Sequence, residues 1–161
     1  MVRRISIRTL LPLKQLKAPA YFVSGNHDFI DGLEIVYRAV EESGVTVLDN
    51  KSIELKGVQL GGLSFAFNKV NLKKELLSHE PKGIKEIEAA GIDLMLSGHT
   101  HGGQIIPFNF LVRLPYGYMY GLYKIGTLTL FVSSGCGTWG PKMRLGTDSE
   151  ISLILLRQKS G

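Results

Sequence analysis

Residues 97–104 read SGHTHGGQ and place His99 and His101 one residue apart among three glycines. A packed core has no use for that pattern. Glycines let the backbone turn sharply and let a ligand approach. If this stretch is extended, residues two apart point the same way, and both imidazoles face one ligand. Neutral, they suit a metal; protonated, they suit a phosphate. A polar loop with incidental histidines is the alternative, and H-x-H alone does not separate the two.

A second run, GNHD, spans Gly25 to Asp28. Asn26 offers a neutral amide oxygen, and His27 an imidazole suited to proton transfer near neutral pH. Gly, Asn and Asp are also common turn residues, so by itself this run reads as a turn. The remaining histidine, His79, lies in LLSHEP, just before a proline. All four histidines fall in loops that flank expected strands or helices, and none belongs to a regular apolar pattern. That joint placement points to one shared site.

The elements that must position these residues follow from periodicity. AYFVS (20–24) reads as a short strand that ends in the polar loop GNHDF. Leu33, Val36, Tyr37 and Val40 have helical spacing, with Asp31 as N-cap and Gly44 as stop. VTVL (45–48), SIEL (52–55) and VQLGGLSF (58–65) read as strands, the last two joined at Lys56–Gly57. KGIKEIEAAG (82–91) predicts a helix, and IDLMLS (92–97) a strand that runs directly into GHTHGG. TLTLFVSSG (127–135) and EISLILL (150–156) read as the last strands. This is an α/β pattern, a mixed sheet or two packed sheets with helices outside. Such folds gather sites at the carboxyl ends of strands, so the GNHD and GHTH loops are expected at one sheet edge.

The chain of 161 residues suits one domain spanning 1–161. It is 44% hydrophobic and 20% charged, as a soluble globular domain is. No apolar run is long enough for a membrane span, and the basic start lacks a signal peptide's long apolar region. A cytoplasmic location, or one peripheral to a membrane, is expected. The net charge of +5 is spread along the chain and gives no nucleic-acid footprint. Cys136 is the only cysteine, which excludes an intrachain disulfide. It sits in a glycine-rich stretch and reads as part of a site wall rather than a nucleophile. Trp139 and the aromatic loop LPYGYMYGLY (114–123) are candidates for gripping substrate or resting on a membrane surface, against the plainer reading of a packed excursion. Arg144 is a weak candidate for phosphate contact.

GNHD, LLSHEP and GHTHGGQ, in that order, resemble the calcineurin-like metallophosphoesterases, and the spellings are closest to bacterial and archaeal phosphohydrolases of that family. The resemblance runs from about Leu16 to the end. It implies part of a four-layered α/β/β/α sandwich with mixed sheets and a dinuclear centre of Mn, Fe or Zn. By motif match, Asn26, His79 and His99 bind one metal, His101 binds the other, and His27 is the general acid. The implied reaction is hydrolysis of phosphate mono- or diesters by a metal-activated hydroxide, with His27 protonating the leaving oxygen.

The sequence also departs from that family. The pattern opens with D-x-H and GD-x-x-D motifs, which supply the other ligands of the first metal and a bridging aspartate. Neither precedes Gly25, and the first acidic residue is Asp28. RTLLPLKQLKAP resembles the helix between GD-x-x-D and GNHD, so an N-terminally truncated frame is expected. A non-catalytic relic or binding module on the same scaffold, or a half-enzyme completed by another chain, are the alternatives. The stretch VNLKKELLSHEP is more charged than the family's strand there, and the interval from Phe67 to His79 is short.

Overall fold

The computed structural model describes residues 10–65 and 75–157. Strands β1 (Tyr21–Phe22) and β2 (Thr46–Val47) pair in parallel. Parallel neighbours need a crossover, and helices α1 (Asn26–Asp31) and α2 (Leu33–Glu42) supply it. Val36, Ala39 and Val40 recur at helical spacing on α2 and are buried. Val36 and Val40 pack with Val45 and Val47, and Phe22 and Tyr37 lie against that cluster.

The second sheet holds β3 (Ser52–Leu55), β4 (Val58–Leu63), β5 (Glu75–Ser78), β6 (Leu94–Ser97), β7 (Gly121–Ile125) and β8 (Leu128–Val132). Its order is β3-β4-β5-β6-β8-β7. The four central strands run parallel, and β3 and β7 close the edges as antiparallel hairpin partners. On β8 the side chains alternate, with Leu128, Leu130 and Val132 buried on one face. They join Leu63, Leu76 and Met95 beneath Ile84 and Ile87 of α3 (Ile84–Ala89). The opposite face, with Leu77, Leu96 and Phe131, lines a cleft of about 510 Å³ together with Tyr21 and Phe22. The two sheets are joined where Gly62 donates to Lys51 O (3.0 Å) and accepts from Asn50 N (3.0 Å). The architecture is therefore α/β, with a mixed six-stranded sheet flanked by helices.

The structure differs from the sequence expectations in four places. Asp31 is the last residue of α1, and the residue at the N-cap of α2 is Gly32. GNHDF is helical: Asn26 and His27 open α1, and the Asp28 carboxylate accepts from the Gly25 N–H (2.8 Å), which anchors that first turn. The aromatic run 114–123 is not a single loop: its first residues, 114–116, end helix α4 (Phe108–Tyr116), and its last, 121–123, open β7. The polar side of α4 is confined to Asn109 and Arg113, and Pro115 within it is a residue that ordinarily breaks a helix, so the run carries a mixed signal. EISLILL lies in no strand, and Ile151, Leu153 and Leu155 are 92%, 86% and 70% exposed. A strand requires a neighbour for its backbone groups, and none of the described strands pairs there. The expectation of a shortened interval after Phe67 falls largely outside the described residues.

Candidate metal centre

The site is built at the carboxyl ends of three parallel strands. β1 leads through Ser24 and Gly25 to Asn26, β5 ends at Ser78 before His79, and β6 ends at Ser97 before Gly98 and His99. The Gly98 N–H donates to His79 O (3.1 Å), which locks the β5 and β6 exits together. Asp49, just beyond β2, does the same for β1: it accepts from Ser24 N (2.8 Å) and from the Tyr37 hydroxyl (2.6 Å). Burial, followed by that bond to Asp49, pushes the Tyr37 hydroxyl up to about 12.

These exits bring three donors to one point. His79 Nε2 stands 3.1 Å from Asn26 Oδ1 and 2.9 Å from His99 Nδ1. The other nitrogen of His99 is held from behind. Its Nε2 lies 2.7 Å from the Tyr116 hydroxyl and 3.1 Å from Glu80 Oε1. Tyr116 donates its own proton to Glu80 Oε1 (3.2 Å), and Lys82 pairs with Glu80 Oε2 (2.7 Å). A carboxylate and a donating hydroxyl behind Nε2 favour the proton on that nitrogen, which leaves the Nδ1 lone pair facing His79 and Asn26. Burial, followed by the neighbouring His99, holds His79 down to about 4. Burial also lowers His99, outweighing the pull of Glu80. Both rings are therefore neutral at neutral pH, the state a metal ligand requires.

This donor set fits a divalent ion. Ligands at about 2.0–2.2 Å from one ion and at right angles to each other stand about 3.0 Å apart, close to the two spacings here. Without an ion, the lone pairs of Asn26 Oδ1 and His99 Nδ1 can share at most one proton from His79 Nε2. Among the described residues, no group of three or more His, Cys, Asp or Glu is placed to hold a metal. The converging triad is two imidazoles and an amide oxygen.

His101 is reached differently from the expectation. His99 and His101 have φ of +67° and +51°, and the chain turns through a short 3-10 helix at His101–Gly103. H-x-H is therefore not extended here, and the two rings do not point the same way. His99 meets His79, while Arg144 Nη1 donates to His101 O (3.1 Å) and Nη2 lies 3.5 Å from His101 Nδ1. Burial first and the Arg144 charge second lower His101 as well. The turn is tight because Gly103 touches α4: a Cβ there would lie 2.3 Å from Asn109 Cβ. His99 and His101 still line one cavity of about 280 Å³ with Asn26, His27, His79, Thr100, Val112, Tyr116 and Trp139. His27 is exposed at its edge.

Several residues of the site were not singled out by sequence reasoning. Glu80, within SHEP, carries no local signal of its part behind His99, and Tyr116, from the aromatic run expected to grip substrate, meets both Glu80 and His99 from 36 residues further on. Gln104, the last residue of GHTHGGQ, is fully buried. Its amide donates to Trp139 O (2.8 Å) and Pro141 O (3.2 Å) and accepts from Trp139 N (2.8 Å), which fastens Trp139 over the cavity. Only its place at the end of the glycine run hinted at a role. Arg144 is no free phosphate ligand, because its guanidinium is committed to the carbonyls of His101, Ser134, Gly135 and Gly137. Cys136 is exposed and lines the cleft between the sheets rather than the histidine cavity.

The sequence has close curated relatives. A Helicobacter pylori protein named an uncharacterized metallophosphoesterase is 39% identical over 94% of this chain and 46% of its own length. A Campylobacter jejuni protein of the same description is 37% identical over 86% of this chain and 42% of its own length. Bacillus subtilis YkuE, also named an uncharacterized metallophosphoesterase, is 30% identical over 90% of this chain and 59% of its own length. The chain thus spans less than half the length of the first relatives it matches. No family model and no solved structure matches it. The shared sequence runs through all three motif-bearing strand exits, and the relatives that share it are named metallophosphoesterases, which supports the calcineurin-like metallophosphoesterase family for this chain.

Proposed function

We propose that this domain hydrolyses phosphate mono- or diesters at a divalent-metal centre, with Asn26, His79 and His99 as ligands of one ion and His101 as a ligand of a second. The observation that carries the reading is the convergence of Asn26 Oδ1, His79 Nε2 and His99 Nδ1 at 3.1 and 2.9 Å. Mixed nitrogen and oxygen donors suit Mn, Fe or Zn and do not select among them. When bound, such an ion supplies a Lewis acid for the phosphoryl group and lowers the pKa of coordinated water.

The chain's own residues do the rest. Asn26 contributes a neutral oxygen that keeps its ligand character at any working pH. Glu80 and Tyr116 orient the His99 ring and keep its proton on Nε2, as carboxylates do for metal-bound histidines. His27, exposed at the edge of the same cavity, has the freedom to take up a proton from solvent and give it to the departing ester oxygen. Val112 and Trp139 wall the cavity and limit water around the phosphoryl group.

The test is elemental analysis of the purified chain supplemented with Mn, Fe or Zn, followed by hydrolysis of p-nitrophenyl phosphate and bis-p-nitrophenyl phosphate. His79→Ala and His99→Ala are expected to lose the metal, and His27→Ala to keep it while losing turnover. A wild-type chain that binds no ion under any supplementation overturns the proposal. A second reading has its own observation: the charged neighbour of His101 among the described residues is Arg144, not a carboxylate. That favours a domain that holds one ion by itself and reaches full activity only with carboxylates from elsewhere. A ratio near one ion per chain with negligible turnover supports this reading, and a ratio near two excludes it.

A further inference from the structure

Helix α4 is apolar on both sides. Val112 and Tyr116 line the histidine cavity, and Asn109 packs against Gly103. At about 100° per residue, Phe110, Leu114, Leu111, Pro115 and Phe108 fill one unbroken arc on the opposite side. The four large side chains of that arc are 66%, 81%, 61% and 52% exposed for Phe110, Leu114, Leu111 and Phe108. A surface helix ordinarily turns a polar face to water. The one charged residue on this helix, Arg113, lies between the two apolar faces. The apolar surface continues past the helix. Ile106 donates its N–H to Leu145 O (3.0 Å), and Ile106, Leu145, Met143 and Trp139 are all exposed.

The segment that carries this surface is basic. From Gly102 to Thr147 the sequence contains no Asp or Glu, but it carries Arg113, Lys124, Lys142 and Arg144. Arg144 is spent on backbone carbonyls, and Lys124 is bonded to Thr127 O and Thr129 on β7. Arg113 and Lys142 remain beside the apolar arc, both exposed.

We infer that this face docks onto an anionic lipid surface. Phe108, Phe110, Leu111 and Leu114 enter the boundary between headgroups and acyl chains. Trp139 sits at the rim, where indole is at home between apolar and wet surroundings. Arg113 and Lys142 meet the lipid phosphates. A second copy of the chain is a poorer occupant, because face-to-face pairing brings the exposed Arg113 and Lys142 together, and Glu80, the carboxylate bonded to α4 through Tyr116, is already paired with Lys82. Docked this way, the cavity wall formed by Val112 and Trp139 stands at the headgroup layer. The inference does not depend on hydrolysis, since vesicle binding is read without metal or substrate.

The test is flotation of the full chain with vesicles of phosphatidylcholine alone or mixed with phosphatidylglycerol. Binding is expected to the mixed vesicles and to weaken as salt is raised. Phe110→Ser with Leu114→Ser is expected to lower the partition coefficient about tenfold or more. These side chains are solvent-exposed, so the circular dichroism of the pair stays that of the wild type. Arg113→Gln with Lys142→Gln is expected to remove the preference for anionic over neutral vesicles while the fold is kept. Failure of the wild type to bind mixed vesicles overturns the inference, as does binding that neither pair of substitutions changes. A wild-type dimer that the serine pair converts to monomer, without vesicle binding, assigns the face to a second copy instead.

Discussion

Gly25→Ala isolates the geometry of the donor triad from every other property of the site. Gly25 has φ −109° and ψ −179°, an extended backbone that alanine adopts freely, so the substitution carries no conformational strain. The added Cβ, however, would lie 2.7 Å from His79 Cε1 and 2.8 Å from both Nδ1 and Nε2, against the face of the ring. Non-bonded atoms there need about 3.5 Å or more, so the imidazole must move by about 0.7 Å. The ring is also held at its edge by His99, whose Nδ1 stands 2.9 Å from His79 Nε2. Metal sites tolerate donor displacements of about 0.2 Å, several times less than the shift required. Metal affinity is therefore expected to fall about 100-fold, or about 2.7 kcal/mol, with about 1–3 kcal/mol of lost stability from overpacking. Gly98→Ala is the matched control, because its Cβ meets only Ser133 O, at 4.0 Å. Titration of metal into apo protein, with competition by a chromophoric chelator, reads the affinity. If Gly25→Ala binds as tightly as Gly98→Ala, the triad is not the ligand set and the reasoning from donor spacing fails.

Other expected outcomes follow from the same geometry. Gln104→Ala leaves the Trp139 N–H and two carbonyls without their partner, and its cost is expected at about 2–4 kcal/mol in urea melts, with Trp139 fluorescence shifted to the red; an unshifted emission maximum would refute the clamp. Asp49→Ala exposes the same weakness at β1: loss of the bonds to Ser24 N and Tyr37 is expected to cost about 2–3 kcal/mol, against about 1 kcal/mol for Tyr37→Phe. Equal costs would mean that the Ser24 bond contributes nothing. For metal-free protein, the folded His79 titrates at about 4 against an ordinary 6.5. Because the unfolded chain then takes up a proton that the folded chain refuses, stability is expected to fall as pH drops from about 6.5 to about 4. After discounting for the exposed part of the ring, the loss is about 1–2 kcal/mol. His79→Gln should flatten that dependence, and an unchanged slope in the variant assigns it to another group.

The family resemblance and the residues that converge at the strand exits were legible because the informative residues come in short runs. GNHD, SHEP and GHTHGGQ each keep their chemistry within a few residues, and each follows a strand whose apolar character marks its end. The mixed sheet flanked by helices could be anticipated from strands alternating with the 33–42 and 84–89 helices. Helix α4 could not, since a proline within the run and a polar side of only Asn109 and Arg113 mask its helical period. Nor could the conformation of GHTHGGQ: H-x-H reads as extended in one dimension, whereas the positive φ at His99, His101 and Gln104 is imposed by packing of the turn against α4.

By itself, the sequence determined which functional groups are present: imidazoles, one amide oxygen and a glycine-rich turn at strand exits. Side-chain chemistry and local periodicity are properties of neighbouring residues, and neighbours can be read directly. The tertiary structure decided which of those groups meet. Asn26 and His79 are 53 residues apart, and His79 and His99 are 20 apart, yet their donors stand within about 3 Å. That spacing comes from the parallel pairing of β5 with β6, the tie from Gly98 to His79 and the anchoring of β1 through Asp49. The same long-range packing turned His101 toward Arg144 and put Glu80 and Tyr116 behind His99. A side chain's partner is set by which strand ends lie side by side, and no pattern within a single segment encodes that.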